Sequence, residues 1–169
     1  VLLDTDLNAA HDHLKLTQEM MRSGLQEARR ALRALRVSPL DDLGLGLALR
    51  QLAESTAARG GLRLDLHVPE QIEGLAADIE QHVYRIAEEA LTNVVRHANA
   101  SELAIRVQQN GATLSMTISD NGAGFDVRQM EHDGHYGMMG MQERAALCGG
   151  TLAIQSQPQQ GTTLLFRIE

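Results

Sequence analysis

The stretch Asp120-Asn121-Gly122-Ala123-Gly124 decides how the rest of the chain is interpreted. It follows a run of apolar residues at alternate positions, namely Leu114, Met116 and Ile118. Such an alternation, ending in an acidic residue and two glycines, predicts a buried strand that breaks into a loop. The glycines permit backbone angles that side chains forbid, and they would let a ligand approach the main chain. The same letters also describe an acidic β-turn, so the stretch alone leaves a plain turn and a binding site open.

Composition describes an ordinary soluble globular chain without the features of a nucleic-acid binder. The 169 residues are 43% hydrophobic and 22% charged, enough for one domain with a real core plus an appendage. A formal net charge of -7 and an aromatic content of 2% argue against direct nucleic-acid binding. Cys148 is the single cysteine, which excludes an internal disulfide. No signal peptide or membrane span is visible, so we expect a cytoplasmic location, and the initial Val1 suggests a fragment of a longer protein.

A long helix is predicted over residues 5–36, because apolar residues recur there every seven positions. The recurring residues are Leu7, Leu14, Met21, Ala28 and Leu35. A seam this narrow is typical of a coiled coil or helical bundle, so we favour a dimerisation helix over a helix that packs on its own domain. Pro39 is expected to end the helix, with a linker over residues 38–42 and a second domain over residues 43–169.

Beyond the linker, helical and strand patterns follow one another along the chain. Helices are predicted over residues 43–59, 77–97 and 142–148. Strands are predicted over residues 62–68, 102–108, 113–119, 151–155 and 162–168. Asn110-Gly111, between the second and third strands, is a strong signal for a hairpin turn. The third strand therefore delivers Asp120 to its loop.

A polar stripe runs along the predicted helix over residues 77–97. Glu89, Asn93 and His97 are spaced four residues apart, and each step of four turns about 400°, so they share one slowly drifting face. Asparagine is mildly unfavourable inside a helix, because its amide competes for backbone hydrogen bonds. Apolar neighbours flank the stripe, and helix geometry alone leaves both a lined cavity and a wet surface open.

A second glycine-rich stretch occupies residues 134–141, with Gly134, Gly137 and Gly140 before the short helix predicted over residues 142–148. Glycine-rich loops that enter helices present free backbone N–H groups to anions. The same composition also describes a flexible lid that binds nothing. A last polar loop ends at Gly161-Thr162-Thr163, where the final strand begins.

Taken together, four weak motifs in a fixed order carry a resemblance to a known family. They are Glu89-x-x-x-Asn93, Asp120-x-Gly122-x-Gly124, Gly137-x-x-Gly140 and Gly161-Thr162-Thr163. The chain resembles the ATP-binding domain of the GHKL superfamily, which includes sensor histidine kinases, gyrase, Hsp90 and MutL. Two stretches are similar to the histidine kinases that signal to LuxR-type response regulators, namely residues 88–98 and 135–144. The resemblance covers about residues 20–169.

This resemblance implies an α/β fold, the two-layer α/β sandwich called the Bergerat or GHKL fold. A mixed sheet of about five strands would carry helices on one face and be preceded by one long helix. ATP would lie between the helix over residues 77–97 and the loop after Asp120, whose carboxylate would accept from the exocyclic amine of adenine. The amide oxygen of Asn93 would ligate Mg²⁺. Glu89 is the candidate catalytic residue, which would help the metal or orient the phosphoryl acceptor.

The remaining site residues that the resemblance implies divide between the two ends of ATP. Arg96 and His97 would meet the phosphates, and a lid would close over the triphosphate through the backbone of Gly137, Met138, Gly140 and Met141. Gly122 and Gly124 would let the adenine approach the main chain. Thr162 or Thr163 would support Asp120 or a bound water at the adenine end.

The same resemblance gives a function and its partners. It implies a histidine protein kinase that transfers the γ-phosphoryl group of ATP to a histidine, that dimerises through the N-terminal helix, and that signals to a LuxR-type response regulator. His11-Asp12 is similar to a phosphoacceptor motif, but the spacing leaves no room for two long helices. We therefore interpret residues 1–37 as a remnant containing the second dimerisation helix, in a parent protein that is cytoplasmic or anchored in the inner membrane. The fragment alone is not expected to complete autophosphorylation.

Other functions remain open at this point. A GHKL ATPase or a serine kinase of the anti-sigma-factor type would use the same motifs, and a non-catalytic dimerising module would keep the fold without the nucleotide.

Overall fold

The computed structural model describes Thr17, Met21 and residues 39–126 and 136–169. Thr17 and Met21 are helical, whereas the rest of the helix predicted over residues 5–36, including His11, lies outside the described residues. Pro39–Glu169 forms a compact unit of its own. Over the part of the chain that is described, none of the helices combines the length and the apolar character needed to cross a bilayer.

This unit contains one mixed sheet of five strands. The strands are β1 (Arg63–His67), β2 (Glu102–Asn110), β3 (Thr113–Asp120), β4 (Thr151–Ser156) and β5 (Thr162–Ile168). Their order is β1-β2-β3-β5-β4, and β1 pairs with β2 in parallel whereas the other pairs are antiparallel. The predicted hairpin joins β2 to β3, with Asn110 opposite Thr113. Both the mixed sheet and its strand number are therefore confirmed.

Three helical segments cover one face of the sheet: α1 (Pro39–Gly60), α2 (Ala77–Asn93) and α3 (Tyr136–Leu147). Alternate side chains of β2, β3 and β5 are buried, and they share one core with the buried faces of the helices. The buried strand residues are Leu103, Ile105, Val107, Leu114, Met116, Ile118, Leu164, Phe166 and Ile168. The intervening residues of these strands are partly or fully exposed. This pattern confirms the predicted sandwich of two layers.

The linker predicted over residues 38–42 is wrong for its last four residues, because α1 begins at Pro39. Proline is tolerated in the first helical turn, where no intrahelical N–H bond is lost, and Asp41 and Asp42 favour that end of the helix dipole. Leu40 is buried and fastens this turn to the core. Gly44, with φ of 73°, then interrupts the helical angles before α1 continues.

A π-helical turn over Val94–Ala98 follows α2, where the sequence predicts a regular helix as far as His97. The wider turn places an extra residue in the helix and rotates the side chains that follow it. A regular helix as far as His97 predicts that Val95, four residues after the buried Leu91, lies on the buried face, but Val95 is 44% exposed. Asn99 ends the turn in the left-handed region, with φ of 47°.

Residues 136–141 of the glycine-rich stretch are helical and not a loop, since α3 spans Tyr136–Leu147, whereas Gly134 and His135 lie outside the described residues. Helix propensity disfavours glycine by only about 1 kcal/mol per residue, and packing outweighs that cost here. Met141 and Ala145 lie one turn apart and are both buried in the core. The helix therefore starts about six residues earlier than the sequence predicts.

Candidate functional site

A cavity of about 570 Å³ lies between α2 with its π-turn, the inner face of the sheet and α3. Its volume falls within the range of small-molecule sites. Ten of the residues predicted from the sequence line it, namely Glu89, Asn93, Arg96, His97, Asp120, Gly124, Gly137, Met138, Met141 and Thr162. The structure therefore brings motifs from four separate segments of the chain to one place.

Asp120 lies at one end of the cavity because it is the last residue of β3 and pairs with Thr162 of β5. Leu103 on β2 is its other partner and is buried, so Asp120 projects from the face that carries the core. The main-chain N–H of Gly122 donates to Oδ1 of Asp120 over 2.8 Å. This contact closes a tight turn directly after the strand.

The surroundings of Asp120 suit a side chain that accepts hydrogen bonds from uncharged donors. Burial raises the pKa of this carboxyl above its usual range, although hydrogen bonds from the main-chain amides of Gly122 and Thr162 act to lower it. No salt bridge to Asp120 is found among the described residues. A half-buried carboxylate without a cationic partner is a frequent sign of a functional site.

Ser156 is a neighbour of this end of the cavity that the sequence analysis missed. It lies opposite Thr162 in the β4–β5 ladder, and the two hydroxyl oxygens are 3.0 Å apart. Ser156 Oγ also accepts from the main-chain N–H of Phe125 over 2.9 Å and donates to the carbonyl of Gly161. It thus ties the loop after Asp120 to Thr162. A lone serine in a polar stretch gives no sequence signal for this role.

The polar stripe of α2 faces the cavity, which decides between the two interpretations that helix geometry left open. Glu89 and Asn93 are half-buried on its wall, whereas Arg96 and His97 are exposed on the π-turn. The cavity is therefore enclosed near Asp120 and wet near the two basic residues. Such a gradient suits a ligand with one flat, weakly polar end and one charged end.

Three glycines at the site serve close contacts between segments. A Cβ on Gly122 would lie 2.2 Å from the carbonyl oxygen of Ala98, and one on Gly124 would lie 2.0 Å from that of Gln157. Since main-chain atoms cannot easily move aside, neither position accommodates a side chain. A Cβ on Gly137 would lie 2.4 Å from Oε1 of Glu89, so the glycine lets this carboxylate lie against the first turn of α3.

Three of the predicted site residues do not line the cavity, namely Gly122, Gly140 and Thr163. Gly122 packs on the π-turn, and nothing lies within 4 Å of a Cβ placed on Gly140. Thr163 pairs with Ser119, one residue out of step with Asp120, so it belongs to the opposite face of the sheet. Of the two threonines that the sequence left open, Thr162 is therefore the one that lines the cavity.

Seven further residues line the cavity that the sequence analysis did not assign to it, namely Ala90, Val94, Ala98, Ile118, Phe125, Ile154 and Leu164. All seven are apolar and contribute to its walls. Ile118 and Leu164 precede or follow the row of Asp120 and Thr162 by two residues, so strand alternation alone could have identified them.

A mixed sheet with helices on one face, and a cavity with a half-buried carboxylate at one end and basic side chains at the other, define a nucleotide-binding α/β sandwich. Residues 78–169 match the family described as histidine kinase-, DNA gyrase B-, and HSP90-like ATPase, and the chain belongs to that family. The resemblance to GHKL proteins on which the sequence analysis relied is thereby confirmed.

Individual relatives agree with this assignment. The chain is 31% identical over 165 residues to the signal transduction histidine-protein kinase/phosphatase DegS of Brevibacillus brevis, which covers 98% of this chain and 42% of the relative. It is 40% identical over 148 residues to the sensor histidine kinase MctS of Rhizobium johnstonii, covering 86% of this chain and 32% of the relative. The chain thus spans less than half the length of these curated relatives.

A solved structure shows the same fold. The histidine kinase domain of the blue-light activated histidine kinase from Erythrobacter litoralis aligns with a TM-score of 0.59 at 20% identity. The alignment covers 73% of this chain and 60% of that chain.

Proposed function

We propose that this chain is the Mg-ATP-binding catalytic domain of a two-component sensor histidine kinase. The observation that carries the proposal is the half-buried Asp120 at the closed end of a cavity that also holds Asn93 and opens at Arg96 and His97. The family assignment supports the same conclusion. The domain would transfer the γ-phosphoryl group of ATP to a nitrogen of a histidine ring, with release of ADP and of the ring proton.

The adenine end is proposed at Asp120 and Thr162. The carboxylate accepts hydrogen bonds only, so it matches the exocyclic amine of adenine and mismatches the carbonyl oxygen that guanine has at that position. The apolar walls, including Ile118 and Met138, suit the faces of a purine. A site that positions a buried polar group in this way discriminates strongly against a base that leaves it unpaired.

The phosphate end is proposed at Asn93, Arg96, His97 and the first turn of α3. Two basic side chains and the free amides of a helix N-terminus favour anions. The described residues include no cluster of three histidine, cysteine or acidic side chains that could hold a metal ion by themselves. Mg²⁺ typically takes one or two protein ligands and completes its shell with phosphate oxygens and water, so the amide oxygen of Asn93 fits that need. The metal would neutralise phosphate charge during transfer.

Glu89 is proposed as the catalytic residue. Its carboxylate lies against Gly137 at the start of α3, and it lines the cavity one helical turn before Asn93. From there it would orient the acceptor histidine or assist the metal. The acceptor itself is proposed to lie on a helix that precedes residues 1–37, which we interpret as the second dimerisation helix of a homodimeric parent. A LuxR-type response regulator would then receive the phosphoryl group.

Phosphotransfer from γ-labelled ATP tests this proposal. The chain alone should remain unlabelled, and a longer protein that includes the preceding helix should acquire label that is stable to alkali and lost in acid, as expected of a phosphohistidine. Label on His11 of this chain alone would contradict the assignment of residues 1–37. Steady ATP hydrolysis without labelling, abolished by Glu89→Gln, would favour a GHKL ATPase instead. Labelling of a serine in an added partner would favour the anti-sigma type.

A further inference from the structure

Asn121 holds the loop after β3 from the side away from the cavity. Its Oδ1 accepts from the main-chain N–H groups of Ser101 and Glu102, each over 2.9 Å. Its Nδ2 donates to Ser101 Oγ over 2.9 Å. Two main-chain donors face one amide atom, which must therefore be the oxygen. Asn121 does not line the cavity of about 570 Å³, and both atoms of its amide are engaged by Ser101 and Glu102.

These three bonds extend the β2–β3 ladder beyond its last pair. The ladder ends at Leu103 opposite Asp120, and the main-chain N–H of Asn121 lies 3.4 Å from the carbonyl of Glu102. This main-chain hydrogen bond is long, and the side chain of Asn121 adds shorter ones of 2.9 Å beside it. Asp120, the adjacent residue, pairs with Leu103, and the contacts of Asn121 hold the loop directly after Asp120 to the start of β2.

The same loop contacts the end of the π-turn on its other side. The main-chain N–H of Ala123 donates to the carbonyl of Ala98 over 2.6 Å, and Gly122 lies against the same carbonyl. The loop that begins at Asp120 is thus hydrogen-bonded to both ends of the connection from Ala98 to Ser101. That connection leads directly from the π-turn, which carries Arg96 and His97, into β2.

We propose that Asn121 is a positioning residue for base recognition, which sets the place of the Asp120 carboxylate relative to the π-turn. The inference rests on the proposed function, because it assumes that Asp120 reads the adenine. Asn121 acts through Asp120 and touches no ligand. Loss of its amide would leave the phosphate contacts in place and would allow the carboxylate of Asp120 to shift. The affinity for ATP would therefore fall more than the affinity for a nucleotide whose base Asp120 does not favour.

Displacement of a fluorescent ATP analogue by Mg-ATP and by Mg-GTP tests this inference on the chain of residues 1–169. Asn121→Ala is expected to lower the affinity for ATP about tenfold, as the loss of several hydrogen bonds predicts. The affinity for GTP should stay within about twofold of that of the wild type. Asn121→Asp keeps two acceptor oxygens for the same partners and should restore most of the preference for ATP. Ser115→Ala, at the far end of β3, is the matched control and should change neither affinity.

Several outcomes would overturn the inference. They are unchanged ATP binding by Asn121→Ala, equal weakening of ATP and GTP, or no recovery with Asn121→Asp. Should Asn121→Ala fail to fold, Ser101→Ala removes one of the three bonds, and a preference for ATP equal to that of the wild type would then overturn it. Absence of ATP binding by the wild-type chain would be a different result, since it would reject the proposed function and this inference with it.

Discussion

Replacing Gly137 and Gly140 by alanine tests whether the glycine-rich stretch is the helix that the structure shows or the flexible lid that its composition suggests. Both residues lie in α3, and alanine is favoured over glycine inside a helix by about 1 kcal/mol. No atom of the described residues lies within 4 Å of a Cβ on Gly140, so Gly140→Ala should gain this full amount. For a domain of this size, about 1 kcal/mol raises the melting temperature by roughly 2 to 4 °C.

Gly137→Ala should behave differently, although it changes the same residue type in the same helix. The new methyl group would lie 2.4 Å from Oε1 of Glu89, and its three nearest atoms all belong to that one flexible side chain. Glu89 can rotate away at a cost of about 0.5 to 1.5 kcal/mol, which cancels the gain in helix propensity. Stability should therefore stay near that of the wild type, while the displaced carboxylate slows phosphotransfer.

Thermal unfolding of the chain and phosphotransfer in the longer kinase measure the two effects separately. The expected result is a stabilised Gly140→Ala variant with normal phosphotransfer and a Gly137→Ala variant of normal stability with reduced phosphotransfer. A Gly140→Ala variant that is less stable than the wild type would refute the helical assignment, because alanine has no advantage in a loop. Equal phosphotransfer by both variants would refute the contact between Gly137 and Glu89.

Three other predictions concern the adenine end. Gly124→Ala should lose about 2 to 4 kcal/mol of unfolding free energy in urea titrations, because Gly124 has φ of 55° and its Cβ would overlap the carbonyl of Gln157; a loss below 1 kcal/mol would be inconsistent with the close contact. Burial raises the pKa of Asp120, so folding favours its protonated form and stability is lost as pH rises through the folded pKa. Asp120→Asn should accordingly melt above the wild type at pH 7, the gap narrowing as pH falls toward the ordinary aspartate pKa of about 3.9, and a gap that widens instead would contradict the sign. Ser156→Ala removes the hydroxyl shared by Phe125, Gly161 and Thr162, and it should weaken ATP binding about threefold to tenfold in calorimetry, whereas an unchanged affinity would exclude that network from base recognition.

Much of the site could be predicted from the sequence because its motifs combine local periodicity with residue chemistry. The alternation before Asp120 defined a strand and its end, and the four-residue spacing of Glu89 and Asn93 defined one face of a helix. The hairpin at Asn110 followed from turn chemistry alone. These are short-range relations, and short-range relations are what a single sequence displays.

The remaining features depend on packing between distant segments. The π-turn of Val94–Ala98 leaves no mark in the sequence, and it moved Val95 from the predicted buried face to the surface. Which of Thr162 and Thr163 lies beside Asp120 depends on the register of β5 against β3. A shift of one residue in that register would exchange the faces on which the two threonines lie. The glycines of α3 predicted a loop because local propensity cannot register the burial of Met141 in the core.

Gly122 and Gly124 also have a structural role that the sequence did not indicate. Conformational freedom beside a ligand was the predicted reason for Gly122 and Gly124. Gly124 does have a positive φ of 55° and lines the cavity, whereas Gly122 has neither property. Each of the two also lies against a carbonyl of another segment, Ala98 for Gly122 and Gln157 for Gly124. The sequence does not show which atoms exclude a side chain at these two positions, because they belong to distant segments of the chain.

The central claim is that Asp120 reads the adenine of ATP, and isothermal titration calorimetry with Mg-ATP tests it most directly. The wild-type chain should bind ATP at one site, and Asp120→Ala should weaken that binding by at least about tenfold, as the loss of a hydrogen bond to a charged group predicts. Thr163→Ala is the matched control, because it alters the residue beside Thr162 on the opposite face of the sheet and should bind like the wild type. Absence of binding by the wild type, or equal affinity in Asp120→Ala, would contradict the account.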